Sequence, residues 1–115
     1  MARSNKPIVW GLFAAGGTLS AFIFPVVVFV LGFGVTLGFY SPDAFSFDRM
    51  QALAANPWGK LFLFAPTFFI IWHAAHRLRI TAHDFGIRAD GLVAYLCYGA
   101  AAVGTVAMAY AFLTI

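Results

Sequence analysis

The chemistry in this sequence is confined to a handful of side chains. His73, His76 and Arg77 lie close together. On a helix, residues three and four apart share a face, which brings His76 and Arg77 each beside His73. An imidazole can hold or relay a proton near neutral pH, and a guanidinium is a permanently charged donor. Trp10 offers an indole N–H and an apolar ring face. Donors that hold oxygens, next to a group that takes protons, suit the oxidation of a small amphipathic ring such as a quinol. The set lacks a carboxylate base at membrane depth and a redox centre, so partners must supply both. The chain has three histidines, one cysteine, four aspartates and no glutamate. His73, His76 and His83 fall in one stretch, so the chain alone cannot build a facing bis-histidine site; a haem would need a second ligand from a partner, for instance opposite His73, and none is expected. No spacing of His, Cys and carboxylates suggests a metal. No nucleophile–base pair or phosphate loop is present, and no catalytic residue is assigned.

The elements that must position these residues follow from composition. Hydrophobic residues make up 63% of the 115 and charged residues 10%, with a mean hydropathy of +0.89. Soluble domains run near 45–50% apolar and about 25% charged. A chain this small cannot bury so much apolar surface in its own core, and the low charge excludes a disordered chain. A small integral membrane protein remains. The net charge of +3 does not indicate nucleic acid, because the basic residues stand at the edges of apolar runs. Cys97 lies inside the last run and has no intrachain disulfide partner.

Crossing about 30 Å of hydrocarbon takes about 20 helical residues. Gly11 to Tyr40 contains no charge, Pro57 to Ala75 carries only Lys60 and His73, and Gly91 to Ile115 is uncharged. The expectation is an all-α membrane protein, a single anchor domain over 1–115, with transmembrane helices at roughly 11–40, 57–79 and 90–115. A β-barrel would need alternating polar and apolar residues. The first run is too long for a signal peptide and reads as a retained helix. Ser41-Pro42-Asp43 signals a turn, Phe47 to Ala55 suits a short interfacial helix, and Gly86 breaks the second connection. Three crossings put Arg3, Lys6, Arg77, Arg79 and Arg88 on one side and Arg49 and Lys60 on the other. The excess of positive charge predicts a cytoplasmic N-terminus and an up-down-up arrangement.

Other features have plain readings. Trp58 and Trp72 fit the aromatic belt, which is also the plain alternative for Trp10; Lys60 snorkels, and Arg79 and Arg88 read as orientation charges. His83 and Asp84 read as loop residues that cap a helix or meet a soluble partner. Gly99, Gly104 and the alanines 100–102 and 107 form a small-residue face suited to close helix contact in lipid. Three short-looped helices make a thin bundle, so part of this surface is expected to meet another protein.

The sequence resembles the D-subunit family of bacterial fumarate reductases along almost its whole length. The likeness rests on KPIVWGLFAAGG at 6–17, FYSPDAFSFDR at 39–49, GKLFLF at 59–64 and HRLRITAHD at 76–84. This resemblance implies the smaller of two hydrophobic anchors in a heterotetramer of the bacterial inner membrane. The other anchor, an iron–sulfur subunit and a flavoprotein would be its partners, and flavin and iron–sulfur clusters would reside only in them. The complex would oxidise menaquinol and reduce fumarate to succinate in anaerobic respiration. The family's menaquinol-pocket tryptophan falls on Trp10 and its His-Arg pair on His76 and Arg77. His73, one turn earlier, departs from the pattern. A succinate:quinone oxidoreductase anchor working in the opposite direction, or a purely structural anchor, are the competing readings. A small multidrug-type transporter is disfavoured, because all four aspartates sit in connections.

Overall fold

The computed structural model describes residues 6–115, so Arg3, counted above for orientation, lies outside the described residues. All regular structure among the described residues is helical. α1 spans Lys6–Val27 and runs on as a π-helical stretch over Val28–Gly34. A single 3-10 turn, Pro42–Phe45, leads to the short helix α2, Phe47–Ala55. α3 spans Pro57–Asp84 and α4 spans Asp90–Thr114. Among the described residues, three helical stretches are long and apolar enough to cross a membrane: Lys6–Gly34, Pro57–Asp84 and Asp90–Thr114.

The helix ends differ from the apolar boundaries, and the cause is capping. The first helix does not reach residue 40. Gly38 adopts φ +79°, Phe39 N–H donates to the Gly34 carbonyl at 2.9 Å and Gly38 N–H to Val35 at 3.0 Å. This pair of bonds closes a helix around a left-handed residue, a conformation that favours glycine. α3 runs to Asp84 rather than to 79. It ends by the same device, with Gly86 at φ +83° and Ile87 N–H donating to the Ala82 carbonyl at 3.1 Å. His83 and Asp84 therefore belong to the last turn of α3, not to a loop. At its start, Asn56 Oδ1 accepts from Trp58 N–H at 2.9 Å, with Pro57 as the first helical residue.

α3 is the middle helix. It packs against α1 on one side and α4 on the other, and α2 folds back against it. Phe64 meets Phe112 and Trp72 meets Tyr98, while Phe13 meets His73. Positions thus rise along α3 as they fall along α4. The most buried hydrophobic residues are small: Ala75 at 5% exposure and Ala101 at 4%. Small residues at contacts let helix backbones approach, and in lipid this packing replaces a hydrophobic core. Hydroxyls inside the helices are satisfied locally: Ser20 donates to the Gly16 carbonyl at 2.8 Å and Thr67 to that of Leu63 at 2.7 Å.

Candidate functional site

The site begins with a close approach of α1 to α3. Gly16 is buried. A Cβ there would stand 2.5 Å from the Cβ of His73 and press on the Phe69 carbonyl, and one on Gly17 would stand 2.8 Å from His73 Cε1. The missing side chains let the His73 ring lie on the α1 backbone. There its Nδ1 is 2.9 Å from the Phe13 carbonyl. A carbonyl only accepts, so Nδ1 donates and carries the hydrogen. The Phe13 ring stacks on His73 at 4.3 Å and meets His76 edge-on at 4.8 Å. Trp10, one turn earlier, stacks on Phe13 at 5.2 Å. The aromatic order along this seam is Trp10, Phe13, His73, with His76 beside Phe13.

Two recesses flank this stack. One, of about 490 Å³, is lined by Lys6, Val9, Trp10, Phe13 and His76. The other, of about 320 Å³, lies among Val9, Phe13, Phe69, Trp72 and both His73 and His76. A third, more polar recess of about 430 Å³ on the α4 side is lined by His76, Arg79, Ile80, His83 and Asp90. His76 lines all three. Apolar walls with a few convergent polar groups suit a small amphipathic ligand.

The α3–α4 seam adds side-chain bonds to close packing, with Ala75 on α3 and Ala101 on α4 both buried. Trp72 Nε1–H donates to Thr105 Oγ1 at 3.1 Å. His76 Nδ1 and the Tyr98 hydroxyl are 2.7 Å apart. Arg79 makes two bonds to Asp90, Nε at 3.1 Å and Nη2 at 2.7 Å. Trp72 is thus half-buried between helices, and Arg79 is engaged with Asp90. Lys60 Nζ donates to the Ile115 carbonyl at 3.3 Å.

Comparison with known proteins decides the family. The sequence model of the fumarate reductase D subunit matches residues 1–113. The chain belongs to the fumarate reductase D-subunit family. The D subunit of Aliivibrio fischeri is 38% identical over 104 residues, covering 90% of this chain and 87% of the relative. That of Photobacterium profundum is 39% identical over 99 residues, covering 86% and 82%. That of a Shewanella species is 38% identical over 104 residues, covering 90% and 86%. As a fumarate reductase D subunit, the chain is a small hydrophobic membrane anchor, multi-pass in the inner membrane, of a fumarate reductase-type complex.

Within this D subunit, the residues singled out by sequence are not all brought together. Trp10 and His76 line one recess. Trp10 is 64% exposed on the rim of the bundle. Arg77 is exposed and does not line that recess; the next residue after His76 on a helix is turned by about 100°. Phe13, Lys6 and Tyr98 adjoin the site and were not marked by the sequence. Phe13 sits one turn after Trp10, a spacing that a search for helical neighbours could have used. Tyr98 is one of five hydroxyl-bearing residues in the last apolar run, and its pairing with His76 depends on the α3–α4 register, which no spacing reveals.

Proposed function

We propose that this chain is the smaller membrane anchor of a quinol:fumarate reductase, and that Trp10, His76 and Arg77 help form its menaquinol oxidation site. In this reading the chain runs up-down-up from a cytoplasmic N-terminus and packs against a second hydrophobic anchor. Together the anchors hold an iron–sulfur subunit and a flavoprotein on the cytoplasmic face. The flavin and clusters belong to those partners, and this chain is non-catalytic towards fumarate.

The observation that carries the reading is the recess shared by Trp10, Phe13 and His76, at one end of the α1–α3 seam. Menaquinol, when bound, supplies two electrons and two protons. The aromatic side chains of Trp10 and Phe13 give an apolar wall for a ring. The indole N–H is a donor for one oxygen. His76 holds or takes a proton at a ring nitrogen. Arg77, exposed on the next position, contributes a fixed positive charge near the site or meets the iron–sulfur subunit. All three histidines stand on α3, so the reading assigns no haem to this chain. Nothing fills the space where a Cβ on Gly99 or Gly104 would stand, and this open stretch of α4 suits contact with the second anchor.

The test is His76→Ala in the assembled complex. Loss of a proton-handling group is expected to lower quinol-driven fumarate reduction by about 10²-fold, while fumarate reduction from an artificial donor persists. Assembly with unchanged quinol kinetics would leave the chain an anchor only. Purification from native membranes without flavoprotein and iron–sulfur partners would overturn the assignment to the complex.

A further inference from the structure

The quinol reading uses one side of His76; the other side faces α4. There the Tyr98 hydroxyl lies 2.7 Å from Nδ1. Tyr98 is itself held from two directions. Trp72 stacks on its ring at 6.1 Å with an interplanar angle of 18°. The Arg79 guanidinium stands over the ring at 5.7 Å, and Arg79 is fixed in turn by its two bonds to Asp90. With Phe13 edge-on against its other side, the imidazole of His76 is gripped in one orientation.

We propose that Tyr98 is a positioning residue for His76, its hydroxyl holding Nδ1 so that Nε2 is the nitrogen offered to the ligand in the Trp10 recess. The inference rests on the reading that places His76 at the quinol site. A neutral imidazole carries one N–H, and a phenol hydroxyl both donates and accepts. While Nδ1–H donates to Tyr98, Nε2 has its lone pair and takes a proton from a hydroxyl in the recess. The Tyr98 oxygen still accepts from Nδ1 once both nitrogens are protonated. When Nε2 keeps the hydrogen instead, the hydroxyl turns and donates to Nδ1, and Nε2 donates to an oxygen in the recess. One residue therefore serves both tautomers without moving the ring, much as outer partners fix a ligating histidine in metal sites. Among the described residues, the charged and titratable groups around His76 are His73, Arg77, Arg79 and His83 on α3, Lys6 on α1, and Tyr98 and Asp90 on α4. The Tyr98 hydroxyl stands within hydrogen-bond distance of Nδ1.

Tyr98→Phe tests this in the assembled complex. It keeps the ring against Trp72 and beneath Arg79 and removes only the hydroxyl. Quinol-driven rates are divided by artificial-donor fumarate reduction, which counts assembled complexes. Loss of one neutral hydrogen bond predicts a fall of about 3- to 10-fold in kcat, with little change in quinol KM. The same substitution in the His76→Ala background is expected to add no further fall. In 15N-histidine-labelled complex, the His76 Nδ1 resonance, identified by its absence in His76→Ala, should shift in Tyr98→Phe. An unchanged kcat, an equal fall in both backgrounds, or an unmoved Nδ1 resonance overturns the proposal. If His76→Ala itself leaves quinol turnover intact, the underlying reading fails and this one with it. If His76→Ala is impaired while Tyr98→Phe is not, only the role of Tyr98 fails.

Discussion

The two seams of α3 both rest on small residues but are fastened differently. Against α1, contact is made by omission: Gly16 and Gly17 withhold side chains, and His73 bonds a backbone carbonyl. Against α4, packing at Ala75 and Ala101 is supplemented by the side-chain pairs Trp72–Thr105, His76–Tyr98 and Arg79–Asp90. A steric seam tolerates almost no added volume, since neither backbone can give way. A seam of discrete polar pairs loses one pair at a time. Lipid offers little hydrophobic drive for helix association, so either type must supply its own attraction. The difference also divides labour at the site. The glycine seam sets where α1, and with it Trp10, stands relative to His76. The polar seam sets how the His76 ring is turned.

The contrast can be broken by mutation, and the expected effects descend in size. Gly16→Leu should be the most damaging change. Its side chain meets the Phe69 carbonyl and the His73 Cβ, and overpacking of this kind costs about 1–3 kcal/mol. Recovery of assembled complex from membranes should drop sharply; near-normal recovery would mean that α1 and α3 are not in this register. Trp72→Phe removes one interhelical hydrogen bond and keeps an aromatic ring. Such bonds in membrane proteins average about 0.6 kcal/mol, and Thr105 retains its bond to the Ala101 carbonyl at 2.8 Å. A small drop in the thermal midpoint of the solubilised complex is expected, and a loss as large as that of Gly16→Leu would erase the distinction between the seams. Arg79→Ala should do least for stability. Its pair with Asp90 is open to solvent, with side-chain exposures of 33% and 48%, and exposed pairs contribute little. Its effect should shrink further in high salt. A large, salt-independent loss would show that this pair is shielded in the assembly.

The pattern of apolar runs sufficed to find the three membrane-length helices, and the residues from Phe47 to Ala55 carried the short helix between the first two. Helix ends were not legible from the same signal. Hydropathy marks where lipid stops, whereas Gly38 and Gly86 mark where the backbone turns, and α3 carries its polar residues Arg79, Thr81 and His83 past the apolar run. Trp10 and His76 were recognisable as one level of the bundle because each stands near the end of an apolar run. Arg77 shows the limit of that argument, since level along a helix says nothing about facing. Tyr98 shows the limit from the other side. Its partner lies on another helix, and only the α3–α4 register joins them.

The overrun of α3 has a consequence for the lipid itself. Its 28 residues rise about 42 Å at 1.5 Å each, against about 30 Å of hydrocarbon. His76 stands about 30 Å from the start of the helix by the same measure. The far border of the oily layer therefore falls at the height of His76 when Pro57 sits at the near one. Bilayer thickness then acts as a gauge on this histidine. With the helix upright, a thinner membrane leaves it among hydrated headgroups and a thicker one draws it under the acyl chains; tilt of the helix offsets either change.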